Sequence, residues 1–85
     1  MVYELTFLLN HEEELDNIKI LVQSFSGKLE TEEKWGKKSL AYPIKRNTSA
    51  NFYHWVFEME EKNIVEFRKK LNFNEKIIRY LLTLK

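Results

Sequence analysis

The sequence predicts an α+β domain: a four-stranded antiparallel sheet with two helices on one of its faces. Three observations point there. Four runs alternate with period two, two runs repeat with helical spacing, and their order is strand, helix, strand, strand, helix, strand. Such a split β-α-β unit, repeated once, closes into a two-layer sandwich. Right-handed crossovers place the first and third strands at the centre of the sheet.

Residues 2–9 form the first strand. Tyr3, Leu5, Phe7 and Leu9 alternate on a wholly apolar face, opposite the mixed set Val2, Glu4, Thr6 and Leu8. Asn10 then offers a helix N-cap with Glu13 as its capping-box partner. Glu12, Glu13 and Glu14 read as a solvated helix start that complements the dipole. Leu15, Ile18, Leu21, Val22 and Phe25 make one buried stripe. Gly27 is expected to end this helix as its left-handed cap.

From Lys28 the chain turns extended. Leu29 and Thr31 share one phase, whereas Leu40, Tyr42 and Ile44 share the other. A continuous period-two strand changes phase only by inserting a residue, so a bulge, or a break between two strand segments, is expected at Gly36. Pro43, the only proline, lacks an N–H and places this strand at a sheet edge or itself where no ladder bond is needed. Leu40, Tyr42 and Ile44 are expected to point largely at the core. The polar segment Asn47–Asn51 is expected to be the turn. A third strand follows, with Tyr53, Trp55, Phe57 and Met59 inward and Phe52, His54, Val56 and Glu58 on the open face. Ile64, Phe67 and Leu71 mark the second helix, whose basic run Arg68–Lys70 suits its C-terminal end. Phe73 is expected to fold back onto the core. Residues 77–84 complete the sheet, with Tyr80, Leu82 and Leu84 alternating with Arg79, Leu81 and Thr83.

Composition bounds the function. Eighty-five residues, 44% hydrophobic and 14% aromatic, make one domain, residues 1–85, with one core. Cysteine is absent, which removes disulfides, thiolate metal sites and thiol nucleophiles, and is compatible with a reducing cytosol. The start of the chain does not resemble a signal peptide, and no run reaches the roughly 18 apolar residues of a membrane span. The two histidines, His11 and His54, have no partners at triad or metal-ligand spacing, and no glycine-rich phosphate loop is present. The sequence therefore predicts no enzyme, no metal and no cofactor.

Fourteen basic against thirteen acidic residues give a net charge of +1, so nucleic-acid binding would need local clustering. Lys37, Lys38, Lys45 and Arg46 supply such a cluster around the second strand, and Arg79 stands on the last strand. Phe52 and His54 can stack on bases, although the signature of the common RNA-recognition module is missing. The other reading is a protein-interaction module pairing through its open sheet face or its edge strand.

Four stretches resemble the bacterial small-subunit ribosomal protein S-six family: Tyr3–Asn10, Trp35–Ile44 with its Leu-Ala-Tyr-Pro-Ile core, the strand ending at Phe57–Met59, and Leu71–Tyr80. The resemblance runs from Val2 to Leu84. It implies a ferredoxin-like fold and a cytoplasmic, ribosome-associated structural role without catalysis. It also implies binding of small-subunit ribosomal RNA together with ribosomal protein S-eighteen. Lys37, Lys38, Lys45 and Arg79 match basic positions of the family; with Arg46 of the same cluster they are the expected RNA-binding residues, and Phe52 and His54 of the open face, with Tyr42 at an aromatic family position, are the expected partner-binding residues. The segment Asn47–Asn51 departs from the family pattern in lacking Gly and Pro.

Overall fold

A computed structural model describes all 85 residues. The elements run β1 (Val2–Leu9), α1 (Glu14–Ser24), β2 (Lys28–Ile44), β3 (Asn47–Glu58), α2 (Glu61–Phe73) and β4 (Ile77–Leu84). The sheet order is β2-β3-β1-β4 and every pairing is antiparallel. The central strands are β1 and β3, and β2 is an edge, as the crossover and proline arguments require.

The two sheet faces differ in what covers them. Tyr3, Leu5, Phe7 and Leu9 join Tyr53, Trp55, Phe57 and Met59 under Ile18 and Val22 of α1 and Phe67 and Leu71 of α2. Leu5, Phe7, Leu9, Phe57 and Phe67 are fully buried. Aromatic edges set the packing: Phe7 meets Trp55 edge-on at 5.0 Å and Phe57 tilts against Phe67 at 5.3 Å. The other face carries no helix. A small cluster of Leu8, Ala50 and Ile78 forms there, with Leu40, Ile44 and Phe52 packed against it.

Several local expectations change. Asn10 does not cap α1; its Nδ2 donates to Asn47 Oδ1 (3.0 Å) and to the Ser49 carbonyl (2.9 Å). The helix instead begins one turn later, after Glu13, which is itself already helical in φ and ψ and makes no side-chain cap. Glu14 is buried rather than solvated. Its carboxylate accepts from Asn74 Nδ2 at 2.9 Å and Asn17 Nδ2 at 3.3 Å, with Lys76 Nζ 3.6 Å away. A helical periodicity cannot show this, because the shortest donor, Asn74, and Lys76 arrive from the α2–β4 connection.

At the other end of α1 the left-handed residue is Ser26 (φ 59°), not Gly27. Gly27 N–H donates to the Val22 carbonyl (2.9 Å) and Ser26 N–H to that of Gln23 (3.0 Å), a Schellman closure. Gly27 is one residue further on, where the chain passes too close to Val22 and Met59 for a side chain.

The bulge at Gly36 is present. The β2–β3 register slips between Lys34 and Gly36, leaving Trp35 as the extra residue, and Gly36 takes φ 91°. Two further slips occur, between Leu29 and Thr31 and between Ser39 and Ile44. The last leaves Leu40–Pro43 outside the ladder, so Pro43 forfeits no strand bond. This irregular stretch turns Leu40 and Ile44 toward the open-face cluster rather than the main core, and Tyr42 stays 62% exposed. The hairpin turn is Lys45–Arg46, flanked by the pair Ile44–Asn47, so Asn47–Ala50 already belongs to β3. Phe73 does not fold back; it is 81% exposed.

Candidate functional site

The β2–β3 hairpin outruns the rest of the sheet. The last β3 residue paired with β1 is Asn51, so Asn47–Ala50 and the opposing part of β2 form an arm beyond β1. Of the five basic residues singled out above, Lys38, Lys45 and Arg46 lie on that arm and Lys37 stands at its base, opposite Asn51. They do not share one face. Lys37 opposes Asn51 and Lys38 opposes Ala50, so their side chains leave opposite faces of the ribbon. Lys45 and Arg46 occupy the tip.

Arg79 reaches the same region from the far side of the sheet. The register places Arg79 opposite Leu8, and Leu8 opposite Phe52, so the three form one row across the open face. A hollow of about 240 Å³ lies along this row, lined by Leu8, Leu40, Tyr42, Ile44, Phe52 and Arg79. It is apolar except at the Arg79 end.

A second row carries Leu81, Thr6 and His54. Thr6 Oγ1 and His54 Nδ1 are 2.9 Å apart, a hydrogen bond that fixes the ring. The bulged Trp35 lies flat on that ring, with centroids 4.9 Å apart and planes 10° from parallel. Trp35 remains 45% exposed on its other side. Lys38 Nζ sits 5.9 Å from the Trp35 ring and 5.5 Å from the Phe52 ring, a cation held over two aromatic faces. Phe52 and Tyr42 line the hollow and His54 lies in the neighbouring row of the same sheet face. Trp35 completes that surface and was not among the sequence candidates. Its signal was present: a tryptophan adjoining the glycine of a phase slip is the residue a bulge re-aims.

Five of the fourteen cations have carboxylate partners within 4 Å: Lys19 with Glu32, Lys34 with Glu12, Lys62 with Glu60, Lys69 with Glu66 and Lys76 with Glu14. The five candidate residues, Lys37, Lys38, Lys45, Arg46 and Arg79, have none, and neither do Lys28, Arg68, Lys70 and Lys85. Lys45 Nζ donates instead to the Ile77 carbonyl at 3.1 Å, which ties the tip to the start of β4.

A larger hollow of about 320 Å³ lies on the helix side, between α1 and β2. Two ion pairs bridge it, Lys19–Glu32 and Lys34–Glu12, above Tyr53 and Trp55. The hydrogen bond from Lys34, and then its charge, hold the Glu12 carboxyl below its usual range, and Glu12 raises Lys34 in turn. Burial pushes the Tyr53 phenol up. These charges satisfy one another. No group of three or more His, Cys, Asp or Glu side chains is assembled for a metal ion.

An arm with unpaired cations, an exposed aromatic plate and an apolar groove ending in an arginine make a surface for binding. Its fold and sequence have known counterparts. The crystal structure of 30S ribosomal protein S6 from Thermotoga maritima superposes with a TM-score of 0.85, covering 99% of this chain and 86% of that one at 24% identity, a likeness of fold. The small ribosomal subunit protein bS6 of Dictyoglomus turgidum is 30% identical over 89 residues, spanning 96% of this chain and 92% of the relative. That of Geotalea daltonii is 37% identical over 86 residues, spanning 93% and 67%. The family model described as ribosomal protein S6 matches residues 2–84, and on that match the chain belongs to the ribosomal protein S6 family.

Proposed function

We propose that this chain binds small-subunit ribosomal RNA jointly with a second ribosomal protein, S-eighteen, and so stabilises a folded RNA junction. The family membership makes it a non-catalytic component of the small ribosomal subunit, cytoplasmic and ribosome-associated. In this reading Lys37, Lys38, Lys45, Arg46 and Arg79 meet RNA. Phe52, His54 and Tyr42, with Trp35, meet the partner protein.

The observation that carries the reading is where unpaired cations cluster. Lys37, Lys38, Lys45 and Arg46 gather along the distal part of the β2–β3 hairpin without carboxylate partners, and Arg79 adjoins them across the open face, whereas the other cations without carboxylates, Lys28, Arg68, Lys70 and Lys85, lie apart from this cluster. A net charge of +1 then suffices, because phosphates meet a local cluster and the apolar groove adds affinity through the partner. The groove also supports the narrower reading of a protein-interaction module that needs no RNA.

The test is binding to a junction fragment of small-subunit ribosomal RNA with the partner protein present. Replacing Lys37→Ala and Lys38→Ala together is expected to weaken binding and to flatten the dependence of log K on log salt by about one per lost phosphate contact. An unchanged salt slope assigns both lysines to solubility. Partner binding that survives removal of all RNA, with no gain on adding it, leaves the interaction module as the function.

A further inference from the structure

We infer that the Lys45–Arg46 tip divides its labour: Arg46 makes the tip's RNA phosphate contact, whereas Lys45, counted above among the RNA-facing cations, acts instead with Asn47 and Asn10 as a positioning residue that holds the turn for it. This rests on the RNA-binding reading above. Both turn residues lie in the left-handed region, Lys45 at φ 49° and Arg46 at φ 67°. A two-residue hairpin turn with two positive φ values favours Asn-Gly, because a Cβ is disfavoured there. This chain places two long basic side chains in that geometry. A local rule broken at a charged, exposed tip points to function rather than to folding.

The surrounding hydrogen bonds hold the turn in place. Asn47 Nδ2 donates to the Ile44 carbonyl (3.3 Å) and the Lys45 carbonyl (3.1 Å), while Asn47 Oδ1 accepts from Asn10. Asn10 also donates to the Ser49 carbonyl. Lys45 Nζ reaches across to Ile77. The tip is thereby fixed to β1's exit on one side and β4's start on the other. Of the two basic residues at the tip, Arg46 alone has neither a side-chain hydrogen bond nor an ion-pair partner, and it is exposed. A guanidinium on a rigid turn loses little freedom on meeting a phosphate, and its fork suits that geometry.

The experiment measures affinity for the small-subunit RNA junction fragment, partner present, across a salt series, with thermal unfolding of each variant alongside. Arg46→Gly is expected to leave Tm unchanged or higher, since it removes a Cβ from a left-handed position. It is also expected to weaken RNA binding about tenfold and flatten the salt slope by about one. Asn47→Ala and Lys45→Met are expected to weaken binding several-fold while Arg46's contact persists, so the slope stays put. Amide exchange of the tip should speed up in both. Full affinity in Arg46→Gly, with the unaltered protein binding RNA normally, overturns the inference alone. So does a full unit of slope lost in Lys45→Met. Failure of the unaltered protein to bind RNA overturns the reading beneath it as well.

Discussion

Gly27→Ala is expected to destabilise the domain severely, by crowding and not through backbone conformation. A Cβ at this position would stand 2.8 Å from Val22 Cγ1, 2.8 Å from the Val22 carbonyl oxygen and 2.9 Å from Met59 Cε. Ordinary contact begins near 3.4 Å, so each neighbour must retreat by about half an ångström. Met59 Cε is the end of a flexible side chain and can yield. The Val22 carbonyl cannot, because it accepts the Gly27 N–H that closes α1, and the Val22 side chain is fully buried. Overpacking of this kind costs about 1–3 kcal/mol, and a weakened closing bond adds about 1 kcal/mol. At about 4–8 °C per kcal/mol for a domain of this size, Tm should fall by roughly 10–25 °C. Urea unfolding followed by tryptophan fluorescence reads the same loss as a lower midpoint at an unchanged m-value. Ser26→Gly is the control: it relieves the left-handed φ and should stabilise by up to about 1 kcal/mol. The reasoning fails if Gly27→Ala lies within about 0.5 kcal/mol of the parent, or if Gly27→Asn, which tolerates left-handed φ, is benign while Ala is not.

Other substitutions separate surface from core. Asn74→Ala removes the shortest donor to the buried Glu14 carboxylate and should cost about 1–2 kcal/mol in urea unfolding. Phe73→Ser, at an 81% exposed position, should change stability by less than about 0.5 kcal/mol in the same assay. Trp35→Ala should weaken partner-protein binding in a calorimetric titration while leaving the RNA salt slope alone, because it removes the plate and no cation. A pH series of Tm should show the Glu12–Lys34–Tyr53 group. Glu12 is depressed, so its contribution is present above the ordinary carboxylate range and fades as pH falls through its lowered value. Lys34 and Tyr53 are raised, so theirs is full below pH 10 and declines as pH climbs through their elevated values. Glu12 and Lys34 are solvent-facing, so Glu12→Gln should flatten the acid side only slightly, and less still in high salt.

The sequence made the architecture legible wherever a residue's environment follows from its neighbours in the chain. Alternation in Tyr3–Leu9 and Tyr53–Met59 marks the buried face because both strands lie under helices along their length. The phase slip located the irregularity at Gly36, and the ladder continuing on both sides of it makes it a bulge rather than a break. The misses have more than one cause. Asn10, Glu14 and Phe73 were assigned by local rules for helix ends, yet tertiary partners decide the first two: Asn47 and Ser49 claim Asn10, and Asn74 claims Glu14. The turn was placed at the polar Asn47–Asn51 because Lys-Arg carries no turn signature; a basic pair in a left-handed turn contradicts propensity, so propensity could not find it. For the candidate surface, the basic cluster and the face of Phe52 and His54 were readable. The local pairs Lys62–Glu60 and Lys69–Glu66 lie within reach of sequence rules, but Lys19–Glu32, Lys34–Glu12 and Lys76–Glu14 are not readable, since each joins residues more than a dozen positions apart.

The position of β1 has a consequence for how the chain is made. This strand is synthesised first of the six elements but lies between β3 and β4, which come from the second half of the chain. At about 5–20 residues per second, its apolar stripe waits seconds for a first neighbour and longer for a second. While nascent, Tyr3, Leu5, Phe7 and Leu9 have only α1 to shelter them, so the sheet cannot assemble in the order of translation. A nascent chain arrested before β3 emerges should present that stripe to chaperones that recognise exposed apolar segments, and one extended through β4 should not.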